Sequence, residues 1–203
     1  KRQDVIEQRM HAIDACAAFG AANLVVHTGL RGLEEAAGDG EVARCIESLH
    51  APAARAKDKG VDLALENGTD PGVSVGLLTE VLGRLDAESV GLCLDVGHSN
   101  LYSNPHADVR EARHHLRSVH LHDNEGTDDL HLLPGRGTVD FRDVIGFLRR
   151  SQLIGIVTME VGVDEGTDPD SLESLCAHAG RVAGVIDSFA RGLVMAAGEG
   201  RAP

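Results

Sequence analysis

The 203-residue chain has no tryptophan, one tyrosine and four phenylalanines, which leaves little material for the aromatic platforms on which nucleic-acid bases stack. It is short of positive charge as well: 19 Lys and Arg against 32 Asp and Glu give a formal net charge of -13. Phosphate backbones demand clustered cations, so a nucleic-acid partner is not expected, although a local basic groove stays compatible with this balance. No apolar run approaches the roughly 20 residues that span a bilayer. No charged-then-apolar segment opens the sequence, so a soluble protein without a membrane partner is expected. The four cysteines, Cys16, Cys45, Cys93 and Cys176, form no CxxC pair and keep no regular spacing. They read as small hydrophobes in a reducing compartment, hence the cytoplasm.

What the chain does have is five short apolar runs that each close on a metal-competent side chain. They are Leu24-Val25-Val26-His27, Val61 to Glu66, Val90 to Asp95, Val119-His120-Leu121-His122 and Ile156 to Glu160. Helix-length segments separate them. Residues 2–19 carry apolar positions at helical spacing, as do 41–59 (with Pro52 expected to bend the helix), about 73–84, about 105–116, 141–150 and about 170–192. The second of these helices should close on Gly60. Strands alternating with helices predict a parallel sheet with right-handed crossovers, the α/β class. In such sheets the chemistry gathers at the carboxyl ends of the strands. Residues 1–195 read as one partial barrel domain and 196–203 as a frayed tail.

Side chains alternate faces along a strand. With each terminal ligand facing inward, Ala64, Cys93, Gly91 and Thr158 also face in, while Leu63, Leu65, Leu92, Leu94, Val157 and Met159 face the helices. Small residues inside and large aliphatics outside suit a crowded barrel axis. Glu66, Asp95 and Glu160 would then meet in a partly dry space, where two like charges about 4 Å apart cost roughly 4 kcal/mol at an effective dielectric near 20. No strand of the set ends on Lys or Arg, so the expected neutraliser is a divalent cation; mixed carboxylate and imidazole donors suit Zn, Mn, Co or Fe better than Ca. His98, three residues after Asp95, and Asp129 with His131 in the long polar connection 123–140 could form a further site beside the first. A connection of that length is usually functional or disordered. His114 and His115 are expected in the last turn of a helix, where a cation favours the dipole.

The run Val119-His120-Leu121-His122-Asp123-Asn124, the segment Asp128 to Gly137 and Val139-Asp140-Phe141 resemble the sugar phosphate isomerase/epimerase family. That family belongs to the xylose isomerase-like TIM barrels and shares a superfamily with the family 2 apurinic endonucleases. Leu94 to His98, Leu65 to Gly68 and Val26 to Gly29 match the strand ends of the same superfamily. The resemblance covers about residues 5–190 and implies a (β/α)8 barrel from which the first three βα units are absent, leaving five strands. Exposed sheet edges would then favour association, which leaves a homo-oligomer open.

The resemblance further implies that Glu66, Asp95, His120 and Glu160 hold a divalent ion (Mn, Zn, Co or Mg), with Glu66 and Glu160 also serving as acid and base. His98 resembles a substrate-contacting residue of the epimerases or a ligand of an additional metal in the endonucleases. His27, Asp129 and His131 match endonuclease-type extra ligands. The implied activity is proton transfer α to a carbonyl of a small sugar or sugar phosphate, through a metal-stabilised enediolate. In that scheme Arg136 could anchor a distal hydroxyl or phosphate, and His122 could contact substrate or stack against the loop. The alternatives are a metal-dependent phosphodiesterase acting on abasic DNA and a non-catalytic remnant.

Overall fold

In the computed structural model, which describes residues 2–30, 38–150, 156–163 and 172–191, the chain alternates helices and strands. The order is α1 (Arg2–Phe19), β1 (Asn23–Val26), α2 (Asp39–Lys59), β2 (Asp62–Glu66), a 3-10 turn (Pro71–Val73), α3 (Val75–Leu85), β3 (Val90–Asp95), α4 (Val96–Tyr102), α5 (Pro105–Ala112), β4 (Leu116–Leu121), α6 (Phe141–Arg150), β5 (Ile156–Met159) and α7 (Leu172–Ala190). The five strands form one sheet in sequence order, and every neighbouring pair is parallel. This is a half-barrel. The expected frayed tail, 196–203, and the first residues of the expected last strand lie outside the described residues.

The inward–outward alternation holds along the sheet. Leu63, Leu65, Leu92, Leu94, Val119 and Leu121 join one hydrophobic cluster with Leu49 of α2, Leu78 and Val81 of α3, Val109 of α5 and Phe141 and Val144 of α6. Ala64 and Cys93 are as deeply buried yet stand apart from that cluster, on the opposite face with Glu66, Asp95 and His120. Six fully buried strand residues at about 1.5–3 kcal/mol each are the main term that fixes which face turns inward. A one-residue slip would exchange the two faces, so the hydrophobic set also fixes the position of the polar one.

Several boundaries differ from those the pattern predicts. α2 runs unbroken through Pro52 and closes on Gly60, whose φ of 67° is the left-handed conformation of a helix C-cap. α5 ends at Ala112 rather than about 116. Residues 113–115 turn into the next strand, with His115 N–H donating back to the Ala112 carbonyl at 2.8 Å and Leu92 N–H donating to the His115 carbonyl at 2.7 Å. His114 and His115 therefore follow the helix instead of sitting in its last turn. α4 is a helix that periodicity does not reveal; Asp95 caps it by accepting from His98 N–H at 2.7 Å.

A register shift between Leu92 and Cys93 leaves Arg117 as the extra residue of β4. Its Nε lies 3.0 Å from Asp62 Oδ2, and a Cβ on Gly91 would stand 2.7 Å from the Arg117 Cγ. Glycine at 91 is what lets this side chain cross the strand.

The long connection 123–140 is ordered. Asp123 is fully buried and accepts four backbone N–H bonds, from Asn124 (2.9 Å), Gly135 (2.9 Å), Gly137 (2.8 Å) and Val139 (3.1 Å). Asp123 and Leu132 also exchange two backbone bonds of 2.8 Å each. The loop is thereby folded back over the carboxyl ends of β4 and β5.

Candidate metal centre

The sheet register sets the height of each polar group. Glu66 pairs with Cys93 and Cys93 with Ser118, while Asp95 pairs with His120 and His120 with Thr158. The strand ends are thus staggered into two rungs, as strand tilt in a barrel requires. Glu66, Asp95, His120 and Glu160 converge across these rungs, with one donor atom from each lying within 4.8 Å of the others. His120 Nδ1 is the centre of the group: it stands 2.8 Å from Glu66 Oε1, 2.6 Å from Glu160 Oε2 and 3.8 Å from Asp95 Oδ2. His27 reaches the other oxygen of Glu66, Nε2 to Oε2, at 2.6 Å.

Among the described residues the cationic partners of these three carboxylates are all histidines. Burial pushes the Glu66 carboxyl up, but the adjoining His120 ring more than offsets this, and the group titrates below the ordinary carboxylate range. Asp95 behaves alike, with His122 as the offsetting partner. Burial pulls His120 down, yet the Cys93 thiol and the Glu66 carboxylate raise it to about 11. Without an ion, His120 is an imidazolium that supplies the positive charge which three converging carboxylates require.

The donor set fits a divalent ion. Asp95 Oδ2, His120 Nδ1 and Glu160 Oε2 are buried and lack an aligned hydrogen-bond partner, although they stand within a few ångströms of one another. Atoms so placed face a common point rather than each other. A buried polar atom without a partner is costly, and an ion at that point removes the cost for all three.

A second cluster adjoins the first, made of His98, His122, Asp129 and His131, again with donor atoms mutually within 4.8 Å. Two of its rings are held in a defined tautomer. His98 Nδ1 is 2.8 Å from the Asn67 carbonyl and His131 Nδ1 is 2.7 Å from the Glu160 carbonyl. Both Nδ1 atoms therefore donate to carbonyls, which turns each Nε2 towards the middle of the cluster. Those atoms stand 3.4 Å (His98) and 3.2 Å (His131) from Asp129 Oδ2. His131 adopts φ of +48° to make this approach, a conformation uncommon outside glycine.

His122 is fully buried. It stacks on His131 with centroids 4.1 Å apart, and its Nε2 lies 2.9 Å from Asp95 Oδ1. It joins the two clusters, so the stacking expected for it is found. Arg136 is not brought to the carboxylates. It is exposed at the loop's turn and lines a cavity of about 270 Å3 with Arg181, Val185 and Ser188 of α7.

Residues that escape a reading by pattern are those that position others. The Asn67 amide brackets the Asp95 backbone, donating to its carbonyl (2.9 Å) and accepting from its N–H (2.8 Å), and so ties the end of β2 to the end of β3. Gly97 admits the His122 ring, since a Cβ there would meet His122 Cε1 at 2.0 Å. Asn124 donates to the Gly97 carbonyl at 2.8 Å. The amide side chain directly after Glu66 is the one signal in the sequence for Asn67.

The sequence profile of the xylose isomerase-like TIM barrel family matches residues 1–178, and the chain belongs to that family. Among curated proteins it is 31% identical over 112 residues to an uncharacterized protein of Methanocaldococcus jannaschii, covering 52% of this chain and 38% of the relative. It is 30% identical over 194 residues to an uncharacterized protein of Sinorhizobium fredii, covering 88% of this chain and 60% of the relative. The chain thus spans less than two thirds of the length of either.

Among solved structures it is similar to the D-allulose 3-epimerase from Methylomonas sp. in complex with D-allulose. The TM-score is 0.74 and the identity 22%, over 91% of this chain and 68% of that one. It is also similar to the IOLI protein with a bound zinc atom, at TM-score 0.76 and 20% identity over 95% and 72% of the two chains. These likenesses establish the fold.

Proposed function

We propose that the chain carries the ion-binding and proton-transfer groups of a divalent-metal-dependent sugar isomerase or epimerase. The observation that supports this most is the convergence of Glu66, Asp95, His120 and Glu160 on one point, with three of their donor atoms buried and making no aligned hydrogen bond. These four residues would hold the ion, with Mn, Zn, Co or Mg the candidates. When bound, the ion supplies positive charge to oxygen atoms on which negative charge develops as a carbon-bound proton leaves.

The rest of the chemistry belongs to the chain. Both oxygens of Glu66 are engaged, one by His27 and one by His120, so it is held as a carboxylate with little freedom. Glu160 has a side chain 42% exposed and stands at the mouth of the half-barrel, where a substrate arrives. We assign to Glu160 the removal of the proton α to the carbonyl and, once it carries that proton, its return to the neighbouring carbon; return on the other face falls to Glu66 only after that carboxylate takes up a proton from solvent. His98, buried beside Asp95, would lie under a hydroxylated substrate, with the fully buried His122 behind it. Arg136 is open to a distal phosphate only if the substrate extends towards the loop.

The presence of D-allulose in a structurally similar epimerase supports a ketohexose as first test substrate. With D-allulose or D-tagatose in deuterated water, the metal-loaded wild type should wash the α-proton out of the sugar, as read by proton NMR. Glu160→Gln should abolish this exchange while the ion stays bound; exchange that persists in the variant rejects Glu160 as the base.

The second cluster supports one competing reading. His98, Asp129 and His131, with His27 on Glu66, would suit a multi-ion phosphodiesterase on abasic DNA. Three ions per chain by elemental analysis, together with cleavage of an abasic duplex, would establish that activity. One or two ions without cleavage support the isomerase.

A further inference from the structure

Below the carboxylates, the concave face of the sheet carries a donor of different chemistry. Cys93 precedes Asp95 by two residues and so shares its face. It is 1% exposed and takes no part in the hydrophobic cluster that Leu92 and Leu94 join on the other side. Its neighbours in register are Glu66 on β2 and Ser118 on β4. The Ser118 hydroxyl is buried and has no hydrogen-bond partner. One donor atom each of Glu66, Cys93 and His120 lie within 4.8 Å of one another.

Glu66 and His120 therefore stand between two sets of partners. Above them are the oxygens of Asp95 and Glu160; beside and below them is the sulfur of Cys93, with the Ser118 hydroxyl next to it. Hard ions prefer the oxygen set and soft ions the thiolate.

We propose that Glu66, Cys93 and His120 form a further, thiophilic ion-binding position, in which a divalent cation with affinity for sulfur, cadmium ahead of the borderline ions zinc and cobalt, is held by carboxylate, thiolate and imidazole. The inference rests on the reading above that Glu66 and His120 are metal ligands. Binding releases the thiol proton to solvent, since a coordinating thiol is deprotonated. The two positions share Glu66 and His120, so an ion drawn to the sulfur takes both away from the set completed by Asp95 and Glu160. Cadmium held there would occupy the protein without serving the sugar chemistry, zinc and cobalt would divide between the two positions, and manganese or magnesium would keep to the oxygens. Cys93 thus acts as the determinant of which metals support activity and which block it.

The test is a titration of the metal-free chain with cobalt(II), with bound metal measured by equilibrium dialysis and the near-ultraviolet sulfur-to-metal charge-transfer band recorded in parallel. The wild type should bind cobalt and develop the band in proportion to bound metal. Cys93→Ser should still bind cobalt and lose the band entirely, whereas Cys45→Ser should keep it at full strength.

Should Cys93→Ser not fold, X-ray absorption of the cadmium or zinc form of the wild type decides. A sulfur in the first shell (about 2.3 Å for zinc) supports the proposal, and a shell of oxygen and nitrogen alone overturns it. Cobalt that binds to the wild type without the band overturns this inference and leaves the carboxylate site standing. Failure to bind any divalent ion overturns both.

Discussion

Loading manganese onto the metal-free chain should release one proton per ion at neutral pH, and that proton should come from His120. The imidazole titrates at about 11 because, against the opposing effect of burial, Cys93 and Glu66 hold it charged. Its Nδ1 is the atom nearest Glu66 and Glu160, and a metal can take that atom only after its proton has gone. Removing that proton at pH 7 works against the raised basicity of the ring and so weakens metal binding at neutral pH. Glu66 and Asp95 titrate below the ordinary carboxylate range, so neither contributes a proton to the count.

Apparent affinity should therefore rise about tenfold per pH unit between pH 7 and pH 9. Isothermal titration calorimetry in two buffers of different ionisation enthalpy gives the proton count directly. Manganese is the suitable ion because it avoids the thiol. A count near zero, with affinity flat across that range, would refute the assignment of His120 as the charged group that an ion replaces.

Three further outcomes follow from the same geometry. Asp123→Ala strands the N–H groups of Asn124, Gly135, Gly137 and Val139 and should cost about 3 kcal/mol in urea unfolding even with water replacing some of the lost bonds; a loss under about 1 kcal/mol would show that the carboxylate does not hold the loop. Gly97→Ala places a methyl 2.0 Å from the His122 ring, so it should displace that ring and reduce bound zinc at saturation by the ion of the second cluster; unchanged zinc content would separate His122 from that cluster. The metal-free chain should lose thermal stability as pH rises, because a histidine whose folded value exceeds its unfolded one stabilises fully below about 6.5 and ever less up to about 11, by at most about 1.4 kcal/mol per pH unit. A melting midpoint that is level or climbing from pH 7 to pH 10 contradicts this.

Much of the site was legible because it rests on local rules. A two-residue alternation places Ala64 with Glu66 and Cys93 with Asp95, and an apolar run that ends on a ligand marks the carboxyl end of a strand. The residues that escaped act over long separations. Asn67 and Asp95 are 28 positions apart, and Asp123 gathers amides as far on as Val139. No periodicity reports a side chain that bonds to distant backbone. α4 is hidden for another reason: seven residues are too few to display a 3.6-residue repeat, and its single mark, Asp95 as the N-cap, is also a strand-terminal carboxylate. Arg136 is a case of direction rather than presence, since a cation within a glycine-flanked loop gives no sign in the sequence that it stands beside α7.

The double use of Asp95 indicates how the site can exist before any ion arrives. One of its oxygens accepts from the α4 backbone and lies against His122, so its position is set by the fold, while the other oxygen is left without a partner. His98 and His131 are oriented in the same way, each by a carbonyl of an ordered segment. Glu160, whose own carbonyl holds His131, is fixed to Leu121 through its N–H at 3.1 Å. The ligands are thus positioned by backbone, and the charge that would drive them apart is balanced by His120. An ion bound there would have no framework to organise and only a proton to displace, which would make the basicity of one ring the main control over its affinity.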